Sequence, residues 1–295
     1  MKKFKALCPL IGFQIPWGML ICPRDRPDEE TGQIFKERRE KAVKGIEIVD
    51  GVKVKYISKE DLEDLKHEPY LSLVFPHGMR GLVSRNTFVL EKTLSAKERH
   101  TFEASDVMQS IVLAMRLLKG GQVFGNVVLY IRLSEKRGLV SLSHHQNLNP
   151  QGVRGGDYSL DFKEIPDLKK LVKKLQKIDF SKRKSLHLAC KRFQRTYEEG
   201  NSEDPLIDLM IAFEALFLRG KKSVSQRSET IAVACSMLLG KNEGEREEIR
   251  NSLKKAYSIR NSIVHGSEHK EGLDLYEFVE QIEGYLRESI KKLLD

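Results

Sequence analysis

The chain has 295 residues, enough for two ordinary domains, and 40 % of them are apolar, which excludes a disordered polymer. Lys and Arg outnumber Asp and Glu by 51 to 42, a net charge of +9 that favours anionic partners, nucleic acid first. Nowhere do roughly 18 apolar residues run together, so no membrane span is expected, and Cys8, Cys22, Cys190 and Cys235 form neither a C-x-x-C pair nor a Cys/His cluster of zinc spacing.

Such isolated cysteines suit a reducing cytoplasm and apolar packing, and neither a metal nor another cofactor is expected. Lys2, Lys3 and Lys5 precede an apolar run, but Pro9, Gln14 and Pro16 break it and no small-x-small cleavage site follows. A secretory leader is therefore not expected.

Ala6 to Ile21 reads as short extended pieces, and Arg24 to Lys41 as a charged loop leading into a short helix. Ile46 to Ile57 alternates around Asp50-Gly51, a hairpin signal. Ser58 caps a helix over Lys59 to His67, with Asp61 in its first turn. Tyr70 to Phe75 and Thr87 to Leu90 read as strands. Ser105 to Lys119 carries apolar residues at 107, 108, 111, 112, 115 and 118, one helical face stopped by Gly120-Gly121. Val123 to Leu133 and Leu139 to Leu142 read as further strands.

His144, His145 and the glycine-rich stretch up to Gly156 read as a loop. Adjacent histidines chelate one metal poorly, and Gly152-Val-Arg-Gly-Gly156 lacks the strand-to-helix setting of a phosphate loop. These elements predict an α+β domain over residues 1–165, whose role is open among sensor, substrate clamp and inhibitor.

A lysine-rich helix follows from Asp167 to Lys177, with Leu168, Leu171, Val172 and Leu175 on one face. Beyond it the pattern is helical throughout, which predicts an all-α bundle of about five helices over residues 178–295. The first runs from Ser181 to Glu199. The second opens with Asp204-Pro205, Pro at the first helical position, continues to Leu218, and is apolar on nearly all sides, hence central. The third spans about Val224 to Leu239, the fourth Glu245 to Val264 before Gly266, and the fifth Leu273 to Leu294.

On the fourth helix, stepping about 100° per residue places Arg260 within the stripe formed by Ile249, Leu253, Ala256 and Ile263. A guanidinium there is costly without an anionic partner. Glu214, within the apolar second helix, is the expected one, either as a buried ion pair that fixes register or as a group that orients the arginine. His265 follows Arg260 by five residues, about 140° away on an ideal helix. Unwinding at Gly266 would bring the two together, and so would a two-fold dimer. Lysine and arginine pairs from Lys169 to Arg192 form a basic string that suits an RNA backbone, with Lys182, Arg183, Lys184 and Lys254 the expected contacts.

Arg260-Asn261-Ser262-Ile263-Val264-His265 resembles the Arg-polar-x-x-x-His motif of the HEPN superfamily, helical domains that include many metal-independent ribonucleases. Asp204 to Phe217, Ser225 to Ala232 and then this motif follow the order of the ApeA-like HEPN branch, some of whose proteins are tied to phage defence. The resemblance covers residues 180–295. Pro9-Leu-Ile-Gly12 and Leu117-Leu-Lys-Gly-Gly121 resemble the domain that accompanies HEPN in such proteins, and no chemistry attaches to them.

The resemblance implies an endoribonuclease, acting in phage defence or as a toxin, that is a cytoplasmic homodimer through its helical domain. The 2′-hydroxyl of RNA attacks the neighbouring phosphate without a metal, leaving a 2′,3′-cyclic phosphate. In this scheme His265 exchanges the proton, Arg260 stabilises charge on the phosphoryl oxygens, Asn261 positions phosphate or imidazole, and Glu214 and Tyr257 support them. The alternative is a non-catalytic module that dimerises and binds RNA or a nucleotide.

Overall fold

A computed structural model describes residues 3–15, 33, 37, 40–41, 44–66, 87–98, 103–125, 127–134, 137–144, 157–199, 201–218, 226–266 and 274–295. The expected strand over Tyr70 to Phe75, the loop from Arg24 and most of the helix after it, Cys22, His145 and the Gly152–Gly156 stretch lie outside these residues. The chain divides into two compact units, the second beginning at Lys177 and also including Arg116–Gly120.

The first unit is built on an antiparallel sheet. Its strands are β1 (Lys3–Leu10), β3 (Ile46–Val49), β4 (Val52–Tyr56), β5 (Phe88–Ser95), β6 (Val127–Arg132) and β7 (Gly138–His144), in the order β3-β4-β5-β1-β6-β7. A separate parallel pair joins β2 (Phe13–Gln14) to β8 (Tyr158–Ser159). The β3–β4 hairpin turns at Asp50 and Gly51, both with positive φ (50° and 74°), as the Asp-Gly signal predicts.

β5 is twice as long as the Thr87–Leu90 reading. Glu91, Lys92 and Thr93 hide the strand in sequence, yet β1 pairs with β5 along its whole length. The polar residues are accommodated because Lys5 and Lys55 lie 3.2 and 3.4 Å from Glu91 on one face. β6 begins later than the Val123 reading because Gly125 interrupts it, while Phe124 bridges to Ile11.

Helices cover both sheet faces. Helix α1 (Lys59–Lys66) packs Leu62 and Leu65 against Leu7, Val89, Leu129 and Ile131. Ser58 Oγ accepts the Asp61 amide at 3.1 Å, the expected cap. Asp61 is fully buried and held by Lys5 at 2.9 Å and Arg137 at 2.6 Å. Helix α2 (Glu103–Leu118) approaches the opposite face at Gly125, where an added Cβ would meet Val112 at 2.6 Å and Cys8 at 3.1 Å. Only glycine permits that approach. Helix α3 (Ile165–Lys177) buries Leu168, Leu171, Val172 and Leu175, and Asp161 with Glu164 forms a capping box at its start.

The second unit contains five helices among the described residues: α4 (Lys184–Arg195), α5 (Glu203–Phe217), α6 (Arg227–Leu239), α7 (Glu243–Val264) and α8 (Leu275–Leu293). The protein is thus an α+β region followed by an all-α region. Helix α5 packs against each of the other four, the central position its apolar sequence predicts. Pro205 is its third residue rather than its first, because the Asn201 side chain accepts the amides of Glu203 and Asp204 (3.1 and 2.9 Å) and starts the helix earlier.

Helices α7 and α8 run antiparallel: Gln281 reaches Ser252 (3.4 Å) and Tyr285 reaches Glu248 (3.5 Å). Helices α6 and α7 do likewise through Glu229–Lys254 (2.5 Å) and Ser236–Arg250 (3.3 Å). Among the described residues no helix is long and apolar enough to cross a membrane.

Candidate active site

Helix α7 presents the Arg260 motif at its C-terminal end. Asn242 caps the other end by accepting the Glu245 amide at 2.9 Å. Ile249, Leu253 and Ala256 are buried, and the stripe then reaches Arg260 and Ile263, both half-buried. Each leucine-sized side chain so buried contributes about 1.5–3 kcal/mol, which fixes the rotation of the helix and hence where Arg260 emerges.

The expected Arg260–Glu214 ion pair does not form, and among the described residues no carboxylate lies within ion-pair distance of Arg260. Glu214, half-buried near the end of α5, instead accepts the Tyr257 hydroxyl at 3.2 Å. The physical reason is position: Tyr257 is one turn nearer Glu214 and supplies the hydrogen bond the carboxylate needs. Arg260 donates through Nη1 to the Asn261 side-chain oxygen at 3.1 Å, and its Cζ lies 5.9 Å from the Tyr257 ring centre. Its Nε is buried and has no hydrogen-bond partner. A buried, unsatisfied charged donor is expensive, on the order of 1–3 kcal/mol, so this arginine retains an unmet demand for an acceptor.

Burial first, and then the Glu214 carboxylate, push the Tyr257 phenol above its ordinary range, while Arg260 and Arg227 pull it back. Arg227 lies within the Ser225 to Ala232 segment of the HEPN resemblance, but the sequence assigns it no role. It opens α6, is exposed, and faces the Tyr257 neighbourhood because α6 and α7 are antiparallel. Two cations thus act on one tyrosine, and the sequence signals for the second are its place at a helix start and within the Ser225 to Ala232 segment.

His265 is exposed at the C-cap of α7. The last turn does not unwind: the His265 amide donates to the Asn261 carbonyl at 3.0 Å, an ordinary helical bond, and the chain leaves the helix only at Gly266, with φ +67°. Within one chain Arg260 and His265 therefore stay about 140° apart around the helix axis. Arg260 meets Asn261 and Tyr257, and Tyr257 meets Glu214; His265 follows Asn261 by one turn, about 40° from it around the axis and about 140° from Arg260.

The expected RNA-contacting residues are also dispersed. Arg183 donates to the Leu293 carbonyl, a helix-end tie between the start of α4 and the end of α8. By the α7–α8 register that end lies some 20 residues from Arg260, about 30 Å at the helical rise. Lys182 pairs with Asp179 at 3.4 Å, Lys184 is exposed, and Lys254 pairs with Glu229 at 2.5 Å.

Another buried ionic cluster, unforeseen in the sequence, joins α4 to α5. Asp208 is nearly fully buried and meets Arg192 at 2.7 Å and Arg195 at 3.2 Å. Glu199 accepts from Arg195 at 3.1 Å while its second oxygen is buried without a partner. Burial, followed by the Asp208 charge, pushes Glu199 up to about 7. Among the described residues no His/Cys/Asp/Glu group is arranged to hold a metal ion. Burial raises the Cys190 and Cys235 thiols to about 12, so neither is a ready nucleophile. In comparisons with known proteins, no family model, no curated protein and no solved structure matches the chain.

Proposed function

We propose that the helical unit is the catalytic part of a metal-independent endoribonuclease of the HEPN type, working in the cytoplasm as a homodimer, with phage defence or toxicity as its setting. The observation that carries this reading is Arg260: a half-buried guanidinium without a carboxylate, its Nε sealed and unpaired, at the head of an Arg-Asn-x-x-x-His sequence that ends in an exposed imidazole. A phosphodiester would be bound through the terminal nitrogens of this half-buried guanidinium, since the sealed Nε is out of its reach.

Charge supports the choice of ligand. The C-terminal end of α7 carries about half a negative charge, which repels phosphate. Arg260 and Arg227 offset it, and so does the oppositely signed start of α6, where Gln226 makes no side-chain capping bond. In this mechanism Arg260 stabilises the charge that develops on the phosphoryl oxygens. Asn261 fixes the guanidinium through its side-chain oxygen, leaving its amide group to donate. Tyr257, held by Glu214, forms the wall on which the guanidinium rests. His265 relays the proton between the 2′-hydroxyl and the leaving 5′-oxygen, and its place about 140° from Arg260 supports a site shared with a second copy of the chain.

The test is an RNA oligonucleotide incubated with protein in excess EDTA, beside the same oligonucleotide with a single 2′-deoxy substitution. Cleavage leaving a 2′,3′-cyclic phosphate, and its loss at the substituted position, are expected. Cleavage that requires a divalent metal or ignores the substitution contradicts the reading.

A second reading, a non-catalytic dimerisation module that binds RNA or a nucleotide, draws on the same separation of Arg260 from His265. It predicts salt-sensitive binding and no cleavage under any condition.

A further inference from the structure

Helix α3 presents an unusual surface. Residues 163–177 hold six lysines against two acids, Glu164 and Asp167. Both acids serve the helix start: Glu164 accepts the Asp161 amide at 2.8 Å in the capping box, and Asp167 lies in the first turn. From Leu168 to the end no acidic residue follows. Taking Lys170 as the reference and about 100° per residue, Lys173, Lys174 and Lys177 fall within roughly 60° of it, and Lys163 lies in the short 3-10 turn Phe162–Glu164 just before the helix. The buried residues Leu168, Val172 and Leu175 lie on the opposite side. Lys163, Lys170 and Lys173 are exposed, and among the described residues no carboxylate lies within ion-pair distance of any of these three. Asp50, the acid that approaches the helix, accepts instead from Gln176 at 2.7 Å.

Like charges one turn apart, as at Lys170 and Lys173, destabilise a helix. The last-turn lysines gain from the helix dipole; Lys163, Lys169 and Lys170 lie too early to do so. A bilayer surface suits this face poorly. An interfacial helix inserts its apolar side, and here Leu168, Leu171, Val172 and Leu175 are already committed to the core. No aromatic residue stands among the lysines to anchor at headgroups. What remains complementary is a polyanion with regularly spaced charge.

We propose that the lysine face of α3, centred on Lys170 and Lys173 with Lys163 in the turn before it, is a docking surface for the phosphate backbone of RNA, and that the N-terminal unit thereby holds substrate independently of the α7 site. The interaction is electrostatic and sequence-independent, because lysines on a convex helix reach phosphates and not base edges.

The experiment measures binding of a fluorescein-labelled single-stranded RNA by anisotropy between low and physiological salt. The full-length His265→Ala chain is used so that no cleavage interferes. Adding Lys170→Gln and Lys173→Gln should weaken binding and make the slope of log K against log salt shallower by about 1.4, roughly 0.7 for each phosphate no longer neutralised. Because both side chains are exposed, the circular dichroism and melting curve of the variant should match those of the parent. Phosphatidylserine vesicles provide the competing arm. Unchanged RNA affinity and slope, no RNA binding by the parent at low salt, or loss of vesicle binding with RNA binding intact each overturn the proposal. Cleavage by the parent chain with His265 restored is a separate readout, so a failed nuclease reading and a failed docking surface are distinguishable.

Discussion

Tyr257 and Glu214 are joined by a 3.2 Å hydrogen bond between two helices, one turn before an arginine that meets no carboxylate among the described residues. The bond holds the acid away from Arg260 and keeps the guanidinium available for an incoming anion. It also holds the tyrosine ring that Arg260 lies against.

Tyr257→Phe and Glu214→Gln should each lower stability by about 0.5–1.5 kcal/mol, the net worth of one such hydrogen bond. The double variant should cost less than the sum, since either change already breaks the pair. If the pair positions Arg260, single-turnover cleavage falls on the order of ten- to a hundredfold with little change in KM, as small misplacements do. Thermal unfolding and single-turnover rates check both parts. Unaltered rates in both variants contradict a positioning role.

Mixing two inactive chains tests the shared site. Arg260→Ala supplies an intact His265 and His265→Ala an intact Arg260. If each catalytic centre takes one residue from each subunit, random pairing restores about a quarter of wild-type activity, because half the dimers have one complete centre of two. Activity that stays at the level of the separate variants contradicts a composite centre.

Glu199 makes the helical unit pH-sensitive. Its carboxyl titrates at about 7 in the folded state against an ordinary 4.5. The folded chain therefore binds this proton more tightly than the unfolded one. The benefit is full below about pH 4.5 and is lost as pH rises through 7, where an ionised Glu199 faces the Asp208 charge. Glu199→Gln should thus raise stability at pH 8 by on the order of 1 kcal/mol, after allowance for solvent screening, and leave it unchanged near pH 4.5. Urea unfolding at the two pH values measures the difference. An equal effect at both, or destabilisation at pH 8, contradicts the assignment.

What the sequence discloses follows from where the physics is local. The Asp50-Gly51 turn, the Ser58 cap and the apolar face of α3 each lie within a few residues, and each is found where its pattern predicts. β5 is half hidden because Glu91 is satisfied by Lys5 and Lys55, residues 86 and 36 positions away that no local pattern connects to it. The candidate site divides the same way. Arg260 stands out as a charge on an apolar stripe of its own helix. Its separation from Glu214 is not legible in the sequence because tertiary packing gives the acid to Tyr257, and Arg227 depends on the antiparallel placement of α6 against α7. Asp208 is inconspicuous inside an apolar run, since its partners Arg192 and Arg195 come from another helix.

Metal-independent cleavage through Arg260 and His265 is tested by incubating total RNA in EDTA with the wild-type protein, Arg260→Ala and His265→Ala. All three should have matching circular dichroism and melting behaviour, since Arg260 is only half-buried and His265 is exposed. Cleavage by the wild type is expected, with at least a hundredfold loss in each variant, the scale of removing one transition-state donor or one proton-transfer group. Full cleavage by both folded variants, or none by the wild type, contradicts it.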